Sequence, residues 1–237
     1  MDILDSCLFF DVDDTLYRRL DSFIKACKKT LPKDFELDYE ELYLRRSYYS
    51  EYYLEEYHLG RITLEEMYDL RLNKSLGHYG YQVDHQTALE FEKQYRYFQD
   101  HVELSASYQE LLSKLKAKDI KMGIISNGVS EHQRKKLKSL GIERWIPKEH
   151  WVISGDLNIK KPDIRIFDYA AKLLEADNGN CLMVGDNKDS DILGANNANF
   201  KAIWLNHKNE EENGIEALAI VHNEDELIEL LTKLYLL

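Results

Sequence analysis

The sequence has few cysteines and lacks any long apolar run. Its three cysteines, Cys7, Cys27 and Cys181, are widely spaced and odd in number, so neither a disulfide framework nor a zinc site is expected. We interpret them as reduced packing residues. No segment approaches the roughly 18 apolar residues of a membrane span, and the run from Cys7 to Phe10 is too short for a signal peptide. The chain is therefore expected to be cytoplasmic.

The sequence also lacks an excess of cations. Its net charge is −12 at pH 7, from 31 lysines and arginines against 43 aspartates and glutamates. Nucleic-acid polymers and membranes are bound through clustered cations, so neither is expected as a partner. A small phosphorylated metabolite remains suitable if a metal and local cations offset the field. The hydrophobic content of 44% is ordinary for a globular protein that buries a sizeable core, as a monomer or a homodimer.

The most informative segment is 9–16, FFDVDDTL, in which an apolar run ends in carboxylates. It is typical of a buried strand. Residues two apart on a strand point the same way, so Asp11 and Asp13 can converge on one ligand. Such a pair suits Mg²⁺ and a phosphoryl group, because one carboxylate can attack phosphorus while the other handles the proton of the leaving group.

The remaining pattern divides the chain into two parts. After Leu16 it indicates four helices, at about 18–31, 39–58, 64–77 and 85–99, with no repeat or Gly/Ser linker. Beyond about residue 105, helices alternate with apolar runs at 122–126, 151–154, 181–186, 202–205 and 219–221. This alternation predicts an α/β fold with a doubly wound parallel sheet. We assign 1–16 and 104–237 to the core, and 17–103 to an inserted helical domain.

Several helix starts carry a capping pattern, in which a short polar residue precedes an acid or amide by three positions. The pairs are Asp38 with Glu41, Thr63 with Glu66, Ser130 with Gln133, and Asn223 with Glu226.

The insert holds 13 of the 16 tyrosines. Five of them, Tyr48, Tyr49, Tyr52, Tyr53 and Tyr57, follow one another at near-helical spacing. The simplest interpretation is a broad face packed against the other insert helices. The alternative is a tyrosine that stacks on the ring of a substrate.

Polar groups also follow later strands. Ser126 and Asn127 supply a hydroxyl and turn amides, a geometry that satisfies phosphate oxygens. Lys161 precedes Pro162, which favours an extended conformation and a fixed ammonium that can neutralise phosphoryl charge. Asp186 follows another strand, with Asp191 shortly after it, and is a natural magnesium ligand.

Together these elements resemble the haloacid dehalogenase superfamily. The pattern DxDxT, a strand followed by Ser-Asn, a Lys-Pro pair and GDxxxxD occur in the usual order over nearly the whole chain. The resemblance implies a Rossmann-like core with a helical-bundle cap domain. It also implies that the first and fourth strands are neighbours, so that Asp11 and Asp186 meet where doubly wound sheets bind ligands. Asp14 stands where glycine is common in the superfamily, and no direct role is expected for it.

The resemblance further implies a role for each site residue. Asp11 would be the nucleophile, and Asp13 the general acid and then the base. Asp11, the main-chain carbonyl of Asp13, and Asp186 would hold Mg²⁺. Ser126, the main-chain amide of Asn127 and Thr15 would bind the substrate's phosphoryl group. Lys161 would neutralise the charge of the phosphoryl group and of the Asp11 carboxylate. Asp191 would orient Lys161 or a metal-bound water.

An acid at Asp13 distinguishes phosphatases from the dehalogenases of the superfamily, since halide departs without a proton. The core motifs resemble those of bacterial house-cleaning pyrimidine 5'-nucleotidases. We therefore expect a Mg²⁺-dependent phosphomonoester hydrolase acting on pyrimidine nucleoside monophosphates. Alternatives are a phosphatase of sugar phosphates or phosphoglycolate, a phosphomutase, or a binding protein without activity. Arg18 and Arg19 alone do not make the basic cluster that a phosphomutase needs.

Overall fold

Six parallel strands form a single sheet in the computed structural model, which describes residues 7–237. In chain order they are β1 (Cys7–Phe10), β2 (Met122–Ser126), β3 (Trp151–Ile153), β4 (Cys181–Gly185), β5 (Lys201–Leu205) and β6 (Ala219–Val221). Their order across the sheet is β3-β2-β1-β4-β5-β6. The doubly wound parallel sheet is confirmed, and β1 and β4 are neighbours, as expected.

The central strands are buried on both faces because helices cover a parallel sheet on each side. Every residue of β1, β2 and β4 is buried. Side chains alternate between two apolar clusters: Leu8 and Phe10 belong to one, and Phe9 and Met183 to the other. Phe10, the last residue of β1, pairs with Ile124 and Val184, which lie within two residues of the ends of β2 and β4. The carboxyl ends of β1, β2 and β4 therefore meet at one edge.

The sheet lies in a unit made of Met1–Arg18 and Val102–Leu237, of which the structure describes residues from Cys7 onward. Its helices are α5 (Ala106–Ala117), α6 (Ser130–Ser139), α7 (Ser154–Leu157), α8 (Ile164–Leu173), α9 (Gly194–Asn197) and α10 (Glu224–Leu234), preceded along the chain by four helices of the second unit. A π-helical turn spans Lys188–Leu193, between β4 and α9.

The second unit, Arg19–His101, is helical. Its helices are α1 (Arg19–Thr30), α2 (Tyr39–His58), α3 (Leu64–Leu76) and α4 (His85–Asp100). Their apolar faces pack around Phe23 and Phe91. The carboxylate of Glu92 lies in the same interior and pairs with Arg46 and Arg71, at 2.5 Å from each guanidinium. Burying these charges is tolerable because each one is paired.

The expected capping pattern holds at three of the four helix starts. Asp38 and Asn223 each accept a hydrogen bond from the backbone N–H three residues on. Thr63 and Glu66 form a complete capping box. The prediction for Ser130 is wrong, because α6 is preceded by Val129 and has no side-chain cap.

The packing interpretation of the tyrosine-rich segment is also wrong for part of α2. Tyr48 is 68% exposed and Tyr52 is 58% exposed. Only Leu42, Tyr43 and Arg46 of this helix are buried, and all three lie in its first half. No residue of α2 after Arg46 is buried, and the later tyrosines contact one another and His78.

Within residues 7–237, none of the helices combines the length and apolar character needed to cross a membrane. The three cysteines are free thiols, and all are buried. Their interpretation as packing residues is confirmed.

Candidate active site

The predicted site residues gather at the carboxyl edge of the central strands. Asp11 directly follows β1, Ser126 ends β2, and Asp186 directly follows β4. Parallel pairing brings these three ends together, because β1 lies between β2 and β4. A strand that ends in this way releases its next side chain from the packed sheet, which is why ligand sites occur at this edge.

Lys161 forms ion pairs with two of the predicted site residues, Asp11 and Asp191. Its side chain is buried, and Nζ lies 2.7 Å from Asp11 Oδ1 and 2.6 Å from Asp191 Oδ1. Nζ also donates to the main-chain oxygen of Ile125, at 2.7 Å. A lysine ammonium has three donors, and all three are used here. The ammonium is therefore held in one position between the two carboxylates.

Burial and charge act in opposite directions on this pair. Burial raises the pKa of Asp11 to about 7, while Lys161 opposes the rise and the charges of Asp191 and Asp13 add to it. Burial lowers the pKa of Lys161, but Asp11 and Asp191 outweigh that effect and hold it above its usual range. Lys161 is therefore charged at neutral pH, and a further cation would favour the ionised form of Asp11.

Asn127 supports Lys161 through its side chain. Its Nδ2 donates to the main-chain oxygen of Lys161, and its Oδ1 accepts from the main-chain N–H of Lys161, each at 2.9 Å. The sequence argument used only the main-chain amide of Asn127. In the structure the side chain of Asn127 also connects the loop after β2 to the loop that carries Lys161.

Two predicted phosphate-binding hydroxyls are buried without a partner. Thr15 is 3% exposed and Ser126 is 1% exposed, and neither Oγ1 of Thr15 nor Oγ of Ser126 has a hydrogen-bond partner within the described residues. An unpaired buried hydroxyl costs free energy. Because a hydroxyl can donate one bond and accept others, the oxygens of a bound anion would satisfy both groups.

Three carboxylates could hold a cation. One oxygen each of Asp11, Asp186 and Asp191 lies within 4.8 Å of the other two. Both oxygens of Asp191 are already engaged: Oδ1 contacts Lys161, and Oδ2 accepts from the main-chain N–H of Asn187 at 3.0 Å. Asp11 and Asp186 are thus the better side-chain ligands, and hard carboxylate oxygens suit Mg²⁺.

The carboxylate of Asp13 has a separate set of partners on α6 and in the turn after β1. Lys136 Nζ lies 2.6 Å from Oδ1 and 2.8 Å from Oδ2. Gln133 Nε2 donates to Oδ2 at 2.8 Å, and the hydroxyl of Tyr17 donates to Oδ1. Lys136 was not predicted from the sequence, and Gln133 was wrongly expected to take part in a helix cap. The three-residue spacing of these two residues was the available signal, since it places them on one helix face.

Asp14 has a backbone conformation that glycine adopts more readily than other residues. Its φ is +59°, in the left-handed region that most residues avoid. Aspartate tolerates this region better than most non-glycine residues. Its main-chain oxygen is bonded to Nε2 of His207 at 3.0 Å, so the residue shapes the turn between Asp13 and Thr15.

Gly185 leaves the space that Asp191 occupies. A Cβ at this position would lie 2.4 Å from Asp191 Oδ2 and 2.5 Å from its Cγ. Gly185→Ala should therefore displace the carboxylate that holds Lys161. We expect activity to fall at least about 10-fold and the unfolding free energy to fall by about 1–3 kcal/mol, as for other overpacked interiors.

The measurements are steady-state kinetics and denaturant unfolding of the purified variant. Gly179→Ala is the matched control in the same unit, because the nearest atom to its new Cβ is a side-chain nitrogen at 3.4 Å. A Gly185→Ala protein as stable and active as the control would contradict this account of Asp191.

The chain is similar in sequence to known proteins. A family model for haloacid dehalogenase-like hydrolases matches residues 6–199. Pyrimidine 5'-nucleotidase YjjG of Escherichia coli is 40% identical over 115 residues, which cover 48% of this chain and 50% of the nucleotidase. Glyceraldehyde 3-phosphate phosphatase of Pyrococcus abyssi is 30% identical over 210 residues, covering 84% of this chain and 81% of that protein.

A solved structure shares the fold. The magnesium-bound HAD-hydrolase YfnB of Bacillus subtilis is similar with a TM-score of 0.68 at 24% sequence identity, over 95% of this chain and 98% of that chain. At this identity the similarity concerns the fold alone. The chain spans about half the length of the nucleotidase that it matches.

Proposed function

This chain belongs to the haloacid dehalogenase-like hydrolase family, and we propose that it hydrolyses phosphomonoesters through an aspartyl-phosphate on Asp11. The observation that carries the proposal is the buried ammonium of Lys161, held between Asp11 and Asp191. An ammonium at this position can neutralise phosphoryl charge as it approaches the nucleophile. The unpartnered hydroxyls of Thr15 and Ser126 add groups suited to phosphoryl oxygens.

The reaction has two in-line steps. In the first, a carboxylate oxygen of Asp11 bonds to phosphorus as the ester bond breaks, and Asp13 gives its proton to the leaving alcohol. In the second, water attacks phosphorus and Asp13 takes a proton from it, while the bond from Asp11 to phosphorus breaks. Inorganic phosphate leaves, and both aspartates return to their initial states. Lys161 stays charged throughout.

The donor set fits Mg²⁺. We propose that Asp11, Asp186 and the main-chain carbonyl of Asp13 hold the ion, with Asp191 reserved for Lys161. When bound, Mg²⁺ would offset the negative charge of the phosphoryl group and of the neighbouring carboxylates. The charge at this edge supports the assignment, because the three carboxylates of Asp11, Asp186 and Asp191 repel one another and the ammonium of Lys161 offsets only part of their charge.

For the substrate we propose a pyrimidine nucleoside monophosphate. The support is the 40% identity to the nucleotidase YjjG, together with the core motifs that resemble that branch. A triose or sugar phosphate is the second candidate, and a specific observation favours it. The alignment with glyceraldehyde 3-phosphate phosphatase covers 84% of the chain. It must include part of Arg19–His101, because the portion left out is shorter than that unit.

The test is phosphate release from a panel of esters with purified protein and Mg²⁺. The panel contains UMP, dUMP, dTMP, glyceraldehyde 3-phosphate, phosphoglycolate and several hexose phosphates. We expect turnover that stops with EDTA and returns with added Mg²⁺. The highest kcat/KM should be for the pyrimidine monophosphates, because the core motifs resemble those of the nucleotidase YjjG, to which the chain is 40% identical over 115 residues.

Each outcome decides something. Preference for glyceraldehyde 3-phosphate or a hexose phosphate would retain the chemistry and replace the substrate. Turnover that persists in EDTA would contradict the magnesium assignment. Absence of turnover with every ester would overturn the hydrolase proposal and favour a binding protein.

A further inference from the structure

Three side chains donate hydrogen bonds to the carboxylate of Asp13. Lys136 contacts both of its oxygens, Gln133 donates to Oδ2 and the hydroxyl of Tyr17 donates to Oδ1. Four contacts from three side chains therefore determine the orientation of this group closely.

The face of α6 that contacts Asp13 carries two buried polar side chains. Gln133 is 3% exposed and Lys136 is 6% exposed, although the helix around them is strongly polar. Lys135, one residue earlier, is exposed and pairs with Glu131 on the helix surface. A buried ammonium is costly unless a carboxylate pairs with it. At Lys136 the ion pair with Asp13 offsets this cost.

Gly128 leaves room for the second contact. Its φ is +149°, and a Cβ there would lie 2.7 Å from Nε2 of Gln133. That nitrogen also lies 3.3 Å from the main-chain oxygen of Asn127, to which it donates. The turn after β2 and the first turns of α6 are thus shaped so that the amide of Gln133 can reach Asp13.

We propose that Lys136, assisted by Gln133, is a positioning residue for Asp13 in the reaction proposed above, on which this inference rests. It acts through Asp13 and holds both carboxyl oxygens in the orientation needed for proton transfer. The second step depends on this most directly. There, water forms a bond to phosphorus, the bond from Asp11 to phosphorus breaks, and the proton of the water passes to a carboxyl oxygen of Asp13.

The test is pre-steady-state kinetics of Lys136→Met with p-nitrophenyl phosphate. This leaving group departs without a proton, so formation of the aspartyl-phosphate should change little, whereas its hydrolysis should slow roughly 10- to 100-fold. We expect a burst of about one p-nitrophenol per enzyme followed by a slow steady state. Acid quenching should then trap more phosphorylated protein than in the wild type.

Two further variants separate positioning from general structural support. Lys136→Arg should recover part of the lost rate, because a guanidinium can bind both oxygens of a carboxylate. In a double-mutant cycle, Lys136→Met should cost little once Asp13 is already Asn, since the residue acts through Asp13. Lys135→Met is the matched control and should behave as wild type. If thermal denaturation shows that Lys136→Met is not folded at the assay temperature, Lys136→Gln, which is polar and of similar length, replaces it.

The outcomes distinguish this inference from the function on which it rests. If wild type turns over esters but Lys136→Met has no burst and an unchanged kcat, the positioning role is wrong and the hydrolase proposal stands. Losses that multiply independently in the double variant would also overturn it. If wild type releases no phosphate from any ester, both proposals fail together.

Discussion

Asp11→Asn is expected to release no phosphate above background from any ester that the wild type hydrolyses. The carboxamide cannot form the acyl-phosphate bond, so the loss in kcat should be on the order of 10,000-fold or more. The side chain keeps its size and can still accept a hydrogen bond from Lys161, which lies 2.7 Å from the native oxygen. Acid quenching should trap phosphorylated wild-type protein and no phosphorylated variant.

A stability measurement in EDTA distinguishes a loss of catalysis in Asp11→Asn from a loss of folding. Burial raises the pKa of Asp11 to about 7, above the value of about 3.9 in an unfolded chain. Between these values the folded state binds a proton that the unfolded state lacks, so this residue lowers wild-type stability as pH rises. Asparagine has no such proton. The variant should therefore gain unfolding free energy relative to wild type from pH 4 to pH 7.

Asp14→Asn is the matched control for Asp11→Asn. It changes the same pair of chemical groups three residues away, and asparagine tolerates the left-handed conformation found there, with φ of +59°. It should keep most of the activity. Turnover by a folded Asp11→Asn protein at a substantial fraction of the wild-type rate would rule out Asp11 as the nucleophile.

Asp13→Asn should show a loss that depends on the leaving group. The general acid is worth about 100- to 10,000-fold with an alcohol, whose oxygen must gain a proton as it departs. With p-nitrophenyl phosphate the loss in kcat/KM should be much smaller, because that ratio reports the steps up to the first chemical step and the phenolate leaves unprotonated. Steady-state kinetics with a nucleoside monophosphate and with p-nitrophenyl phosphate measure the difference.

The surroundings of Asp13 require a check on folding. Donors from Lys136 and Gln133 face both oxygens of the carboxylate, and in asparagine one of these oxygens becomes an amide nitrogen, which cannot accept a hydrogen bond. Thermal unfolding of Asp13→Asn should therefore be compared with that of Lys136→Met, which perturbs the same contact from the other side. Equal losses in kcat/KM for the two classes of ester, in a folded protein, would argue against a general-acid role for Asp13.

Much of the fold could be read from local patterns. The apolar runs, their polar ends and the capping residues act over a few positions, so a sequence window contains the physical cause. This is why β1 and β4, and the helix starts at Asp38 and Thr63, agree with expectation. The strand order is not local: that β1 and β4 are neighbours, which brings Asp11 and Asp186 together, was expected from the resemblance to the superfamily.

The failures share a different cause. Tyr48 and Tyr52 have the spacing of a packed face, yet no residue of α2 after Arg46 is buried by the neighbouring helices. Ser130 and Gln133 have the spacing of a cap, yet the side chain of Gln133 donates a hydrogen bond to Asp13, which is distant in the sequence. A local pattern states which contacts are possible, and competition from distant groups decides which are made.

By itself, the sequence determined the fold class, the order of the motifs and the residue types that meet at the strand ends, because period and strand-end chemistry are local. Only the tertiary structure decided how those residues are held. The side chain of Asn127 binds the backbone of Lys161, and Lys136 lies on Asp13 across 123 positions of sequence. Such contacts depend on the packing of α6 and its neighbouring loops against the sheet, which no window of sequence contains.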